Sequence, residues 1–390
     1  MRYLANVLRH LQPERFTPAI LLPSGGDLLP EYRARAAVRV FDEQPRVRFL
    51  RAVQQTRRRG LSLAAAHAAH ALESRVRRRW LRRELALARP DAIVHVYTMP
   101  EPLFEGLDRT RAPSAQCLFQ YADTLNRIGD AALRRFVQRA HFFFAEGERV
   151  KRYAHDVLGI PLDRVLLVPV GPDPETREAQ LRNPARVRRA ELGIAADELV
   201  IGTCGVIEYR KGVDLWVRAA DLVLRRFPDR RIRFLWTGGR EDARQSLFGQ
   251  SVARVAAELG HGAGITFLGD RRDVYAVMDL CDLYVQPSRT DPFPQSVSEA
   301  MSMGKPVVTF AEGMGAEDYA QGALLSVPIV SAEALADGIA RLIENPDERR
   351  RLGEAAGRLI RERFDIVANV RRFEEALERV IRESSPARSR

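Results

Sequence analysis

The sequence predicts an α/β protein made of two doubly wound, parallel-sheet domains, and three observations predict it. The chain of 390 residues is long enough for two domains that each bury a core. Short β-rich runs alternate with amphipathic helices, separated by Gly or Pro turns, as in parallel sheets covered by helices. In the second half these runs are apolar on both faces, as strands enclosed between two helix layers must be.

In the first half, the runs Pro18–Leu22, Ala92–Tyr97, Ala115–Phe119, Phe142–Ala145 and Val165–Val170 read as strands. The turn Gly171-Pro172-Asp173-Pro174 and the charged sequence after it mark the interdomain region. In the second half, strands are expected at Leu199–Cys204, Ile232–Trp236, Ile265–Leu268, Leu283–Gln286 and Pro306–Phe310. Between the first two lies the helix Val213–Phe227, with Leu215, Ala219, Leu222 and Val223 on one stripe. Helices at Ala332–Ile343, Pro346–Arg363 and Val367–Glu383 close the chain. The expected division is a first domain over 1–180, a second over 181–365, and a helix and tail over 366–390 that pack back on the first.

Composition narrows the class. Hydrophobic residues make up 46% of the chain and charged residues 29%, which describes a globular protein. No apolar run approaches the roughly 18 residues a membrane span needs. Cys117, Cys204 and Cys281 have no metal-ligand spacing, so a reducing, cytoplasmic setting suits them. The net charge is +11, and the segment 33–84 holds 15 arginines against four acids. That segment alone matches the surplus of the whole chain. Within it Leu72, Val76, Trp80 and Leu85 lie near one face of a helix, with arginines around them. Such a helix either lies on an anionic membrane surface or packs its apolar face on the first sheet, and the arginines can face outward in both cases. Recognition motifs and interleaved aromatics for nucleic acid are missing, so that partner is not expected. Only three of the 62 basic residues are lysines (Lys151, Lys211 and Lys305), which suggests sites where a compact point charge is wanted.

Three clusters carry chemistry. In Gly205-Val206-Ile207-Glu208-Tyr209-Arg210-Lys211-Gly212, a buried strand passes into a helix. Glycine lets a ligand approach the backbone, the helix N-terminus suits phosphate, and Arg210 and Lys211 add two cations. Alone, the cluster reads more readily as a capped loop with two exposed bases. In the second, the strand ending at Gln286 leads through Asp291 to a helix that starts near Gln295 and carries Glu299. Two carboxylates there would each grip vicinal hydroxyls, one on a sugar and one on a ribose. Backbone N–H groups around Pro294–Ser296 would hold a diphosphate between them. The third, Met303-Gly304-Lys305-Pro306-Val307-Val308 followed by Glu312–Glu317, reads mainly as the next turn, strand and glycine loop.

As an ordered set over roughly 199–364, these clusters resemble the large retaining GT-B glycosyltransferase family commonly called family 4. The resemblance rests on the GxxxxxKG element ending at Lys211-Gly212, the Phe267-Leu268-Gly269 strand end, Asp291-x7-Glu299-Ala300-Met301, Gly304-x-Pro306-Val307-Val308, and Glu317. It implies two Rossmann-like domains facing a cleft and a nucleoside-diphosphate sugar as donor. It also implies no cofactor and no essential metal. By the same resemblance Lys211 neutralises the diphosphate, with Arg210 beside it; Asp291 binds the donor sugar, and Glu299 the ribose. Gly205, Leu268, Gly269, Phe293, Pro294, Gln295 and Ser296 complete the expected donor site. The expected reaction is transfer of a hexosyl unit to a hydroxyl of a glycan or lipid-linked acceptor, with retention at the anomeric carbon.

The chain departs from the family at named positions. Val206 stands where the family has Arg, which removes one phosphate-binding cation; Arg210, four residues on, is placed to compensate. Where the family often has a His, this chain reads Phe119-Gln120-Tyr121-Ala122-Asp123, so Gln120 or Tyr121 is expected to contact the donor sugar instead. The sequence also opens inside the helix that usually follows the family's first strand, so an N-terminal domain without that strand, or a preceding segment, is expected. These departures keep a second reading open, a GT-B-shaped binding or scaffolding protein without catalysis. A nucleotide-sugar epimerase would need a different constellation of acids.

Overall fold

The computed structural model describes residues 2–22, 26–43, 63–95, 114–118, 137–138, 140–169, 171–239, 244–291, 293–311 and 322–384. Gln120, Tyr121, the stretch 312–317 and residues 44–62 of the arginine-rich segment lie outside them. The chain forms two compact units, one of 1–145, 153–170 and 367–390, the other of 146–152 and 171–366.

The described elements run in chain order. Helix α1 (Arg2–His10) leads to β1 (Ala19–Leu22), α2 (Leu29–Arg33) and β2 (Ala37–Val40). The long helix α3 (Leu63–Ala88) precedes β3 (Ile93–His95), β4 (Ser114–Leu118) and β5 (Phe142–Ala145). Then come α4 (Glu148–Asp156), β6 (Val165–Leu167) and α5 (Pro174–Arg182). Next are β7 (Leu199–Cys204), α6 (Val213–Arg226), β8 (Ile232–Thr237), α7 (Leu247–Glu258) and β9 (Ile265–Gly269). They are followed by α8 (Val274–Asp279), β10 (Leu283–Gln286), α9 (Gln295–Ser302), β11 (Val307–Phe310) and β12 (Leu325–Val327). Helices α10 (Ala332–Glu344), α11 (Pro346–Arg363) and α12 (Ile366–Ser384) end the chain.

In the first unit, β1 pairs with β2, and a parallel sheet runs in the order β3-β4-β5-β6. All four residues of β5 are buried, which is why Phe142-Phe143-Phe144-Ala145 has no polar alternation. Helix α3 spends its apolar face inside this unit. Trp80 meets the Phe41 ring at 5.4 Å, and buried Leu81 and Leu85 pack on Leu21 and Ile93. Leu72, expected on the same stripe, is exposed, while Leu81 takes its place in the core. Helix α12 joins the same unit. Phe373 stands edge-on to Phe144 at 5.3 Å, and fully buried Glu374 accepts hydrogen bonds from the Gln12 N–H at 2.7 Å and from Arg15 at 3.2 Å. A carboxylate so deep in an apolar setting is tolerable only because both bonds are made.

The second unit is a six-stranded, all-parallel sheet in the order β12-β11-β10-β7-β8-β9. From β7 the chain winds outward through β8 and β9, then returns to the other side of β7 with β10 and continues to β12. The order therefore reverses between β7 and β10, and that reversal opens a crevice at the carboxyl ends of the two strands. The core on one face gathers Trp216, Trp236, Phe234 and Phe310, with Trp216 edge-on to Trp236 at 5.3 Å. On β7, Gly202 is required by contact. A Cβ there would fall 2.3 Å from the Cys281 sulfur, so glycine allows β7 to lie close to the residues that lead into β10.

Candidate functional site

The crevice is built by three connections at the carboxyl ends of β7, β8 and β9 and by the loop after β10. Glycine backbones line it. Gly205, Gly238 and Gly269 follow or end their strands; the Gly238 N–H donates to the Gly269 carbonyl at 2.7 Å, and a Cβ on Gly238 would lie 2.5 Å from the Gly205 oxygen. Gly238 and Gly269 have φ of +106° and +71°, conformations that side-chain-bearing residues rarely adopt. The Trp236 indole N–H donates to the Gly205 carbonyl at 2.9 Å and holds this turn in place.

Lys211 lies in a single turn of 3₁₀ helix, Tyr209–Lys211, just before Gly212 opens α6. Gly212 has φ +67°, and a Cβ on it would sit 1.9 Å from the Pro287 carbonyl. The start of α6 thus presses on the end of β10, and this brings Lys211 to Asp291. The two side chains form an ion pair with side-chain exposures of 17% and 8%. Arg210 stands on the same carboxylate at 3.9 Å and donates to the Thr290 carbonyl at 3.0 Å. Gln286, on β10, donates to Asp291 at 3.3 Å and to the Ser288 hydroxyl at 2.9 Å, and accepts from Ser296 at 3.5 Å. A polar chain therefore runs from Lys211 through Asp291 and Gln286 to the first turn of α9.

Glu299 sits buried one turn further along α9. Its charge reaches Tyr284 on β10. Burial holds the Tyr284 phenol well above the usual tyrosine range, with the Cys204 and Glu299 charges adding to the shift and hydrogen bonds from Ser296 and the Cys204 backbone opposing it. The phenol oxygen accepts from the Cys204 N–H at 3.0 Å, tying the end of β7 to α9. Pro294 caps α9, whose first residues are Gln295 and Ser296, so the first turn of that helix lies against Gln286. Phe293 is buried against Phe364, ring centroids 5.9 Å apart, so its side chain belongs to the core and only its backbone borders the crevice. Leu268 packs into the opposite core layer beside Gly269. Val206, in place of the expected Arg, is 40% exposed.

Sequence reasoning missed four contributors. Arg289 clamps the loop after β10 to the start of α6 through two bonds to Asp214, at 2.8 and 2.7 Å, and lies 3.8 Å from the Tyr209 ring centre. Gln286 and Tyr284 looked like ordinary strand residues. Their signal was a polar atom in an otherwise apolar buried run. The fourth is Glu146, which follows β5 in sequence and belongs to the second unit; it is 6% exposed. Burial pushes its carboxyl well above the usual carboxylate range, and the Asp291 charge adds to the shift. The electrostatic influence of Asp291 links this buried carboxyl to the Lys211 pair.

The fold of the chain is that of the GT-B glycosyltransferases. It superposes on Anabaena Alr3699/HepE in complex with UDP with a TM-score of 0.73 at 19% identity, over 97% of this chain and 95% of that one. Sucrose-phosphate synthase from Thermosynechococcus elongatus gives 0.74 at 16% identity, over 98% and 93%. Residues 185–358, which carry the crevice, match the family model Glycosyl transferases group 1. The chain is 30% identical over 264 residues to a D-inositol 3-phosphate glycosyltransferase of Nocardia farcinica, covering 63% of this chain and 57% of the relative. It is 33% identical over 183 residues to a lipopolysaccharide core biosynthesis mannosyltransferase, LpcC, of Rhizobium leguminosarum, covering 45% and 50%. The chain spans about half the length of the curated relatives it matches.

The raised Glu146 acid makes stability fall with pH. Its proton is held more tightly in the folded than in the unfolded chain, so folding is unpenalised below the ordinary glutamate range and loses stability as pH rises toward the folded value. Glu146→Gln, which keeps the shape and cannot ionise, should raise the melting temperature at pH 8, with the gain shrinking toward pH 5. Thermal unfolding across that range checks it; an equal effect at both ends contradicts the assignment.

Proposed function

We propose that the protein is a glycosyltransferase that moves a hexosyl unit from a nucleoside-diphosphate sugar to a hydroxyl acceptor, with retention at the anomeric carbon. The observation that carries this reading is the Lys211–Asp291 pair set against the first turn of α9, at the point where the strand order reverses. As the sugar departs, negative charge builds on the diphosphate. Lys211, Arg210 and the N–H groups at Gln295 and Ser296 offer fixed positive charge to it, which lowers the barrier where the charge develops. Donor binding exchanges the Lys211–Asp291 contact for two others, ammonium to diphosphate and carboxylate to sugar hydroxyls. Glu299 then takes the ribose hydroxyls, and the glycine backbones of Gly205 and Gly269 leave room for the nucleotide. Uridine is the base this reading favours, because similar solved structures are complexes with UDP and with UDP-glucose. The positive charge of the site comes from side chains and a helix end, so the reaction in this reading runs without a metal ion.

The acceptor in this reading is a glycan or a lipid-linked sugar, met at the cytoplasmic face of a membrane. No helix among the described residues is long and apolar enough to cross a bilayer. Helix α3 buries its apolar side, yet Arg75, Arg79 and Arg83 stand exposed along it. That face suits electrostatic attachment to anionic headgroups without insertion, each arginine contributing about 1 kcal/mol near the surface.

Two measurements test these statements. Lys211→Ala should lower kcat for sugar transfer by roughly 100-fold or more, while Glu299→Gln should act mainly on the KM for the donor. Nucleotide binding without any turnover in the unaltered protein would point instead to a scaffolding role. For the membrane, co-sedimentation with vesicles should require phosphatidylglycerol and weaken with salt; binding indifferent to anionic lipid removes that part of the proposal.

A further inference from the structure

A second charged cavity lies at the opposite edge of the same sheet. It has a volume of about 710 Å³ and opens where the chain enters β10 and β11, alongside α11. Five cations line it, Lys305, Arg349, Arg350, Arg358 and Arg361, against two acids, Asp282 and Glu354. Asp282 is already engaged, accepting from Arg189 at 2.9 Å and from the Val200 N–H at 2.8 Å. Of the five cations only Arg350 has an acidic partner among the described residues, Asp347 at 2.9 Å. Lys305 and Arg349 are instead held by neutral carbonyls, those of Asp279 at 3.0 Å and Leu342 at 3.1 Å. Those bonds fix the positions of the two charges without neutralising them.

The floor of the cavity is bare backbone. Gly304 takes φ +69°, and a Cβ on Gly353 would fall 2.2 Å from the Gly304 oxygen, so the turn before β11 touches α11 directly. A Cβ on Gly357 would be 3.7 Å from the Gly304 Cα. Two glycines in a helix interior cost about 1 kcal/mol each against alanine. Here they permit the close approach, and the Arg361 guanidinium reaches over the bare backbone, 3.3 Å from where a Gly357 Cβ would be. Arg350, Arg358 and Arg361 follow one another at helical spacing along the rim of that space. The volume is that of a small-molecule site rather than a single-ion contact. Arginine forks beside a lysine point charge suit phosphate oxygens, which accept several charge-assisted bonds at once.

We propose that this cavity is a binding site for a phosphate-bearing anion, separate from the donor crevice. The two sites lie at opposite ends of α9, whose first turn faces Asp291 and whose last residues lead into Met303 and Gly304 of the cavity. The anion is either a free phosphorylated small molecule or the headgroup of an anionic lipid, which share the recognition chemistry.

The test is calorimetric titration of the full chain with inorganic pyrophosphate, in the unaltered protein, in Lys211→Ala and in the double variant Arg358→Ala/Arg361→Ala. Pyrophosphate also suits the donor crevice, so Lys211→Ala isolates the cavity. Binding should persist in Lys211→Ala and weaken at least tenfold when Arg358→Ala/Arg361→Ala is added to it, while the double variant alone keeps its affinity for UDP. Vesicles containing phosphatidylglycerol, tested on the same variants, separate the sources: loss of vesicle binding in the double variant assigns the headgroup, unchanged vesicle binding the free phosphate. If Lys211→Ala alone abolishes pyrophosphate binding, or if the arginine substitutions leave binding in the Lys211→Ala protein unchanged, the cavity is an ordinary solvated surface and the proposal fails.

Discussion

One ion pair organises the crevice of the second unit. Lys211 and Asp291 are 80 positions apart and lie on connections that leave different strands. They meet because β7 and β10 are neighbours and because Gly212 lets the backbone of one connection rest on Pro287 of the other. A mostly buried pair of this kind is weak as a source of stability, since desolvation offsets most of its attraction. Its value is placement. The two groups are set together near a helix end, among the polar side chains of Arg210 and Gln286.

The rest of the unit supports that placement. The Arg289–Asp214 clamp fixes the loop that carries Asp291, and Tyr284 ties the end of β7 to the helix that carries Glu299. Glu146 contributes a carboxyl whose proton burial holds more tightly than usual, with the Asp291 charge adding to the effect. Charge sensitivity is thus built into the crevice by the paired cations on Asp291 and by a buried acid that resists ionising.

Much of this was legible in the residues alone, for physical reasons. Strands β7, β10 and β5 coincide with the runs that predicted them, because a strand buried on both faces is mostly apolar along its whole length. Strands β2 and β12 were not read. Ala37–Val40 includes an arginine and has only one buried residue, and Leu325–Val327 is a three-residue edge strand. Neither exceeds the signal of an ordinary loop. In the site, Lys211, Asp291 and Glu299 stood out through motif spacing and resemblance. Tyr284, Arg289 and Glu146 did not, since each matters through a partner far along the chain, and Gln286 did not because it reads as one more residue of a buried strand. The buried side chain of Phe293, packed beside Phe364, could not be told from its place in the motif.

The central claim is that the ammonium of Lys211 and the first turn of α9 together hold a pyrophosphate. A crystal structure of the protein with bound UDP tests it most directly. The account predicts diphosphate oxygens within hydrogen-bonding distance of Lys211 Nζ and of the Gln295–Ser296 backbone, with the ribose hydroxyls at Glu299. Well-ordered UDP lodged elsewhere, with Lys211 still closed on Asp291, would contradict it.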